Sequence, residues 1–332
     1  IDKACGEGIM PTGVEHLREL GIAPFVEKYP YHYFKGIRYI SGKGRTAEAN
    51  FAEGSGWGIQ RVVFSSALLE CAATLSNLEI RAGESAVYTL GENPKVNLNN
   101  TVLCPKLLIG ADGLHSQVRK LANLEALFPK LKRWGVRQHF NVEPWSVFVE
   151  IYWGPGLEAY VTPVSVSSVN VSLLWDAKRY KPEHGGKKLF ASLLKEFPEL
   201  QERINKEDVM DESMAAGPLY QKTWSVANGK ILLIGDAAGF FDPITGEGIS
   251  LAAKQALLLE KIVIPILQKK NENLEKRLAE YSREFTQIYR PYYAMTRLVL
   301  LFRLWPKFTD LVIQVLHSFP ALFQKLLSVN MR

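Results

Sequence analysis

The chain has 332 residues, 47% hydrophobic and 22% charged, a balance that suits one large or two smaller globular domains and excludes a disordered chain. Its formal net charge of +6 comes without a single dense basic tract, which argues against a nucleic-acid-binding role. Three cysteines, Cys5, Cys71 and Cys104, have no metal-ligand spacing and form no even-numbered framework, so no metal is expected and a reducing, cytoplasmic setting is.

The segment Asp2 to Pro11, DKACGEGIMP, is a glycine loop with Lys3, Cys5 and Glu7 as polar candidates. It leads into a helix predicted over Thr12 to Leu20, with Thr12 as N-cap and Glu15 closing a capping box. Gly36 to Ala52 alternates around a Gly-Lys-Gly turn and reads as a hairpin. An amphipathic helix follows, with Phe64, Leu68, Cys71, Ala72 and Leu75 on one stripe. Arg61, just before it, either approaches a ligand or faces solvent over a buried stem.

Leu107 to Ile109 form a buried strand ending in Gly110-Ala111-Asp112-Gly113, with Ser116 and Arg119 on a short helix beyond. Asp112 can accept a hydrogen bond and Gly113 permits a tight turn; an internal Asp112–Arg119 ion pair is the structural alternative. Arg133 to Trp175 hold four strand-like runs, predicting an antiparallel sheet. Their aromatics, among them Phe140, Tyr152, Trp153, Tyr160 and Trp175, read as core before they read as pocket. Residues 180–210 are charged and helical around KKLFASLLKEF.

Ile231 to Ile234 then run unbroken, as in a strand buried on both faces, and end at Gly235-Asp236. A loop with Pro243, Gly246 and Gly248 precedes an Ala- and Leu-rich helix from Ile249 onward. Asp236 at the strand's end can accept from ribose hydroxyls, the glycines allow close backbone approach, and the helix N-terminus favours negative charge. Asn271 to Arg290 read as a charged helix. The tail, Met295 to Val329, is apolar with Arg297, Arg303, Lys307 and Lys325 interspersed and is broken by Pro306 and Pro320. No run reaches the roughly 18–20 apolar residues of a spanning helix. Two readings stay open for it: helices capping a pocket, or a basic amphipathic surface resting on a membrane.

GDAAGFFDPITGEGIS at Gly235 to Ser250, GADGLHSQVR at Gly110 to Arg119 and the KACGEG segment together resemble the flavin-dependent aromatic hydroxylases, geranylgeranyl reductases and flavin-dependent halogenases. The resemblance implies an α/β fold. A Rossmann-like FAD-binding domain would be assembled from 1–35, 53–125 and 221–270, with an inserted antiparallel β-sheet substrate domain from 36–52 and 126–220 and C-terminal helices over 271–332. It implies that Arg61, Asp112, Gly113, Arg119, Gly235, Asp236, Pro243, Gly246, Gly248 and Ile249 bind FAD. Asp236 would hold ribityl or ribose hydroxyls, and Gly246, Gly248 and Ile249 would offer N–H groups to the flavin's pyrimidine edge. Cys5, Asp242 and Pro243 are the candidates for chemistry beside the ring, and NAD(P)H is the implied electron donor.

The family's G-x-G-x-x-G turn has no match, since Gly54 to Gln60 space their glycines differently. The sequence therefore reads as a fragment lacking one βαβ unit, on the order of 30–40 residues. Glu158 and Thr162 replace bulky apolar residues of the halogenase and prenyl-reductase patterns, and Gly239 stands where hydroxylases carry a histidine. The implied function is an FAD-dependent oxidoreductase, most like an NAD(P)H-dependent monooxygenase hydroxylating an apolar or aromatic small molecule. A flavin-dependent reductase of isoprenoid double bonds and a non-catalytic fragment or pseudoenzyme are the alternatives. The implied setting is cytoplasmic, with membrane contact through the C-terminal helices left open.

Overall fold

A computed structural model describes residues 2–91, 93–99, 101–126, 133–183, 185–268, 273–302 and 306–329. Its largest element is a seven-stranded sheet in the order Met214–Ala216, Arg133–Phe140, Val169–Asp176, Leu157–Pro163, Phe148–Gly154, Gly36–Ser41, Thr46–Asn50. Neighbours are antiparallel except Phe148–Gly154 and Gly36–Ser41, which run parallel with Phe148 opposite Gly36. That one parallel pairing joins the early hairpin to the later strands, so two segments about a hundred residues apart become one sheet. The early hairpin turns at Gly42-Lys43-Gly44, with Ile40 opposite Thr46.

The three central strands are buried on both faces, because each side of the sheet is covered. On one side Phe190, Leu193, Phe197 and Leu200 from short helices pack against Val171, Leu173 and Trp175. On the other, Ile151, Trp153 and Tyr160 meet Met10, Ile244, Ile313, Leu316 and Phe323. Phe140, Tyr152, Trp153, Tyr160 and Trp175 all lie in these cores.

A second, small sheet pairs Leu108–Gly110 with Ile231–Leu233 in parallel and Ile231–Leu233 with Ala227–Asn228 antiparallel. Leu232 and Leu233 are fully buried, as an unbroken apolar run in a parallel pair requires. The helix Gly248–Ile262 and the long helix Leu274–Phe302 cover this sheet, through Leu251, Leu259, Leu278, Tyr281 and Phe285. Gly8–Ile9, Gly56–Gly58 and His32–Phe34 form a third sheet.

Two local expectations are corrected. The first helix spans Pro11–Glu19 with Met10 as N-cap and no side-chain cap, since proline at the first helical position starts it one residue early and Thr12 falls inside. In the helix Arg61–Ala73 only Phe64 and Ala67 are fully buried, and Leu75 is 51% exposed. That helix lies on a small partial layer, so a narrow stripe suffices. The strands Ala86–Thr89, Lys95–Leu98 and Thr101–Leu103 form a partly exposed antiparallel meander that the sequence pattern does not announce. Among the tail's basic residues, Arg303 lies outside the described residues.

Candidate functional site

The parallel pairing of Leu108–Gly110 with Ile231–Leu233 sets Gly110 opposite Leu233, so both strands end at the same sheet edge. Ile234 N donates to the Gly110 carbonyl at 3.0 Å and extends the pairing to the motif ends. Asp112 and Asp236 therefore leave neighbouring strands at the carboxyl edge, where ligands of open α/β sheets bind. Gly235 has φ of 61° and Gly246 of 70°, conformations that favour glycine, and a Cβ built on either meets nothing within 4 Å. Cβ atoms on Gly6 and Gly113 would also point into open space.

The Gly235 N–H donates to the Gln255 side-chain oxygen at 2.6 Å, and the Gln255 amide donates to the Tyr289 hydroxyl at 2.7 Å. This fixes the glycine turn to the helix Gly248–Ile262. Asp236 remains partly open, its side chain 23% exposed, and accepts from Lys3 Nζ at 3.1 Å. The first intrahelical bond of Gly248–Ile262 runs from Leu251 N to the Glu247 carbonyl. The N–H groups of Gly248, Ile249 and Ser250 precede it, have no partner among the described residues, and can meet an anion or carbonyl oxygens. Glu247 is buried at this helix start, and burial pushes its carboxyl up to about 8, with Lys254 opposing in part.

The other acidic candidates are engaged inside the protein. Asp112 accepts from the Ser116 hydroxyl, from Gln117 N at 2.7 Å and from Val118 N at 3.2 Å, so it caps the helix Gln117–Leu121. Arg119 is 1% exposed and donates to the carbonyls of Ala237 at 3.1 Å and Leu114 at 2.7 Å, tying the two motif loops together. Its carboxylate neighbour is Glu125, with Nε 3.6 Å from Oε2, in place of the Asp112 pairing weighed from sequence.

Asp242 is fully buried. Arg133 donates to it through Nε at 2.9 Å and Nη2 at 3.3 Å, and to Glu158 through Nη1 at 2.8 Å. Burial opposes the Arg133 charge, but Glu158 and Asp242 outweigh it and raise the guanidinium well above its usual value. Asp242 also accepts from Ile244 N at 3.0 Å, and its carbonyl accepts from the Tyr292 hydroxyl at 2.8 Å. The expectation of Asp242 as a chemical group beside the ring is corrected: it is a clamp that fixes the loop carrying Pro243, Gly246 and Gly248. Glu158, a departure from the halogenase and prenyl-reductase patterns, is thereby explained as the second partner of Arg133.

The Asp2–Gly8 segment lies against the large sheet. Thr162 donates to the Gly6 carbonyl at 2.8 Å, and Asn170 to the Cys5 carbonyl at 2.9 Å. Glu7, buried and at φ of 61°, accepts from Arg61 N at 2.7 Å and pairs with His139 Nε2 at 2.6 Å. His139 Nδ1 meets Asp211 at 2.7 Å, and Arg137 contacts both Asp211 and Asp2. Burial works against charge on His139, yet Glu7 and Asp211 raise it above its ordinary value. Burial, reinforced by Glu7, also raises the Cys5 thiol, so Cys5 is held as a neutral thiol rather than as a nucleophile. Sequence reading missed this network, because Glu7 and His139 are 132 residues apart and His139 and Asp211 another 72. The Gly-Glu-Gly sequence at Gly246 to Gly248 was the one available signal for Glu247.

These residues suit a flavin nucleotide. They offer open space in front of four glycines, a partly exposed carboxylate, a helix N-terminus, and Arg61 Nε, which is buried without a partner among the described residues. The comparisons agree. The FAD binding domain family matches residues 6–293. The digeranylgeranylglycerophospholipid reductase of Methanocella arvoryzae is 24% identical over 300 residues, covering 84% of this chain and 72% of that protein. The 2-heptyl-3-hydroxy-4(1H)-quinolone synthase of Pseudomonas aeruginosa is 27% identical over 217 residues, 62% of this chain and 56% of that one. The crystal structure of Pseudomonas aeruginosa PqsL in complex with 2-aminobenzoylacetate superposes with a TM-score of 0.75 at 18% identity, covering 91% of this chain and 87% of that one.

Proposed function

The chain belongs to the FAD binding domain family and is an FAD-dependent oxidoreductase, and from that premise we propose that it is an NAD(P)H-dependent monooxygenase acting on an apolar or aromatic small molecule. The observation that carries this reading is the shared sheet edge from which the Asp112-Gly113 and Gly235-Asp236 turns leave side by side, with open space in front of Gly113 and Gly235. The redox chemistry, electron uptake from a nicotinamide and delivery to dioxygen, is what FAD supplies when bound.

The chain's own residues do the rest. Asp236 accepts from sugar or ribityl hydroxyls, and Lys3 beside it holds the carboxylate in place. The N–H groups of Gly248 and Ile249, with the helix dipole behind them, stabilise negative charge at the isoalloxazine's pyrimidine edge. Arg133, through Asp242, keeps the intervening loop from moving. Buried Ile244, Phe241 and Tyr160 exclude water around it. Gly113 lets the Asp112 turn pass close to the ligand, while Asp112 and Arg119 hold that turn's shape.

Hydroxylation is favoured over prenyl reduction by the strand Leu157–Pro163. Glu158 and Thr162 there serve Arg133 and the Gly6 carbonyl, where a prenyl groove would need apolar bulk. The similarity to digeranylgeranylglycerophospholipid reductases supports reduction of isoprenoid double bonds as a second reading. One experiment separates them: oxidation of NADH or NADPH by the yellow protein, with candidate substrates, in an oxygen electrode. Oxygen uptake matched by a hydroxylated product supports the monooxygenase; saturated product formed without oxygen uptake supports the reductase. A colourless protein that takes up no flavin refutes both.

A further inference from the structure

The tail carries charge and apolar surface that the proposed reaction does not use. From Phe285 to Arg332 the sequence has six basic residues, Arg290, Arg297, Arg303, Lys307, Lys325 and Arg332, and one acid, Asp310. That leaves +5 of the whole chain's +6 in its last segment. The lone acid faces inward: Asp310 is 8% exposed, accepts from the Ser41 hydroxyl at 3.0 Å and pairs with Lys43 at 3.2 Å.

The helices Pro306–Ser318 and Pro320–Val329 meet at an elbow bent by 104°. The inner side of the elbow is seated, with Ile313, Leu316 and Phe323 buried against the hairpin strands Gly36–Ser41 and Thr46–Asn50. Tyr39 and Phe323 place their ring centroids 4.8 Å apart there. The outer side is apolar and exposed. Leu311 and Val315 lie on one helical stripe, Phe319 at the bend is 62% exposed, and Leu322 continues the face on the second helix. No single described helix is long and apolar enough to cross a bilayer.

We propose that this elbow is a peripheral membrane-docking face whose occupant is an anionic lipid surface. Phe319 and its neighbours enter the interface, and exposed Lys325, one turn beyond Leu322 on the second helix, meets the headgroups. The charge decides the occupant: Lys325, Lys43 and Arg45 outnumber Asp310 around the elbow, so a second copy of this face would bring like charges together, whereas an anionic bilayer offers opposite ones. The inference is independent of which reaction the flavin performs, so failure of either leaves the other standing.

The test is cosedimentation of the flavin-loaded full chain with vesicles of phosphatidylcholine alone and with about one third phosphatidylserine. Expected are binding to the anionic vesicles, release at high salt, and little binding to neutral ones. Phe319→Glu with Leu311→Glu should weaken anionic-vesicle binding by about tenfold or more, with the flavin spectrum and thermal midpoint unchanged. Lys325→Glu, which leaves the apolar face intact, should weaken it less and reduce its salt dependence. The proposal is overturned if anionic vesicles are not bound, or if binding survives both variants. It is also overturned if light scattering shows a dimer that Phe319→Glu dissociates while vesicles stay unbound, which would make the face a self-association surface.

Discussion

Replacing Glu247 by glutamine tests the buried start of the cofactor helix. The carboxyl is 5% exposed, and burial lifts it from 4.5 to about 8. A group that holds its proton more tightly in the folded state stabilises relative to its ionised form at low pH. That advantage is complete below the unfolded value of 4.5 and is lost as pH rises through about 8. At about 1.36 kcal/mol per pH unit, the rise amounts to roughly 5 kcal/mol of lost stability on the alkaline side. Glu247→Gln does not titrate, so its stability relative to the parent should improve with pH. In urea melts followed by tryptophan fluorescence, the difference should move by about 4 kcal/mol in the variant's favour between about pH 5 and about pH 9. A difference constant across that range would refute the reasoning, because it would mean the carboxylate is solvated or already paired.

Arg133→Met should leave Glu158 and Asp242 buried together without their cation and cost about 3–5 kcal/mol in chemical denaturation; adding Glu158→Leu and Asp242→Asn to it should recover much of that loss. Asp236→Ala should weaken flavin binding by about 10- to 100-fold in a fluorescence-quenching titration, by removal of a charged acceptor. Asp112→Ala should instead cost about 0.5–2 kcal/mol of stability, as loss of a helix cap does, and change flavin affinity less than Asp236→Ala. His139 is raised by Glu7 and Asp211, so its pairing contributes fully below its ordinary value near 6.5 and fades as pH climbs through the raised one. His139→Gln should flatten the stability profile across that window, and an imidazole NMR titration with an unshifted midpoint would contradict it.

How far the sequence could be read depended on the range of each interaction. The two strand-acid-glycine motifs are local: an apolar run, an acid and a glycine within a dozen residues specify strand, turn and helix wherever they occur. The family match over residues 6–293 and the α/β fold agree with that reading. Boundaries were legible less well, since Pro11 rather than Thr12 opens the first helix and the Arg61–Ala73 stripe is narrower than its periodicity suggests.

The role of each acid was a different matter. Asp112, Asp236 and Asp242 look alike in sequence, each beside glycine or proline in a loop after a strand. Only the fold separates them: a helix start consumes Asp112, Arg133 from 109 residues away consumes Asp242, and Asp236 alone keeps an open face. The sequence by itself determined which strands and glycine turns exist, because those follow from local backbone and apolar pattern. Tertiary structure decided which charges are buried partners and which face a ligand, because desolvation and pairing depend on neighbours brought together across the chain.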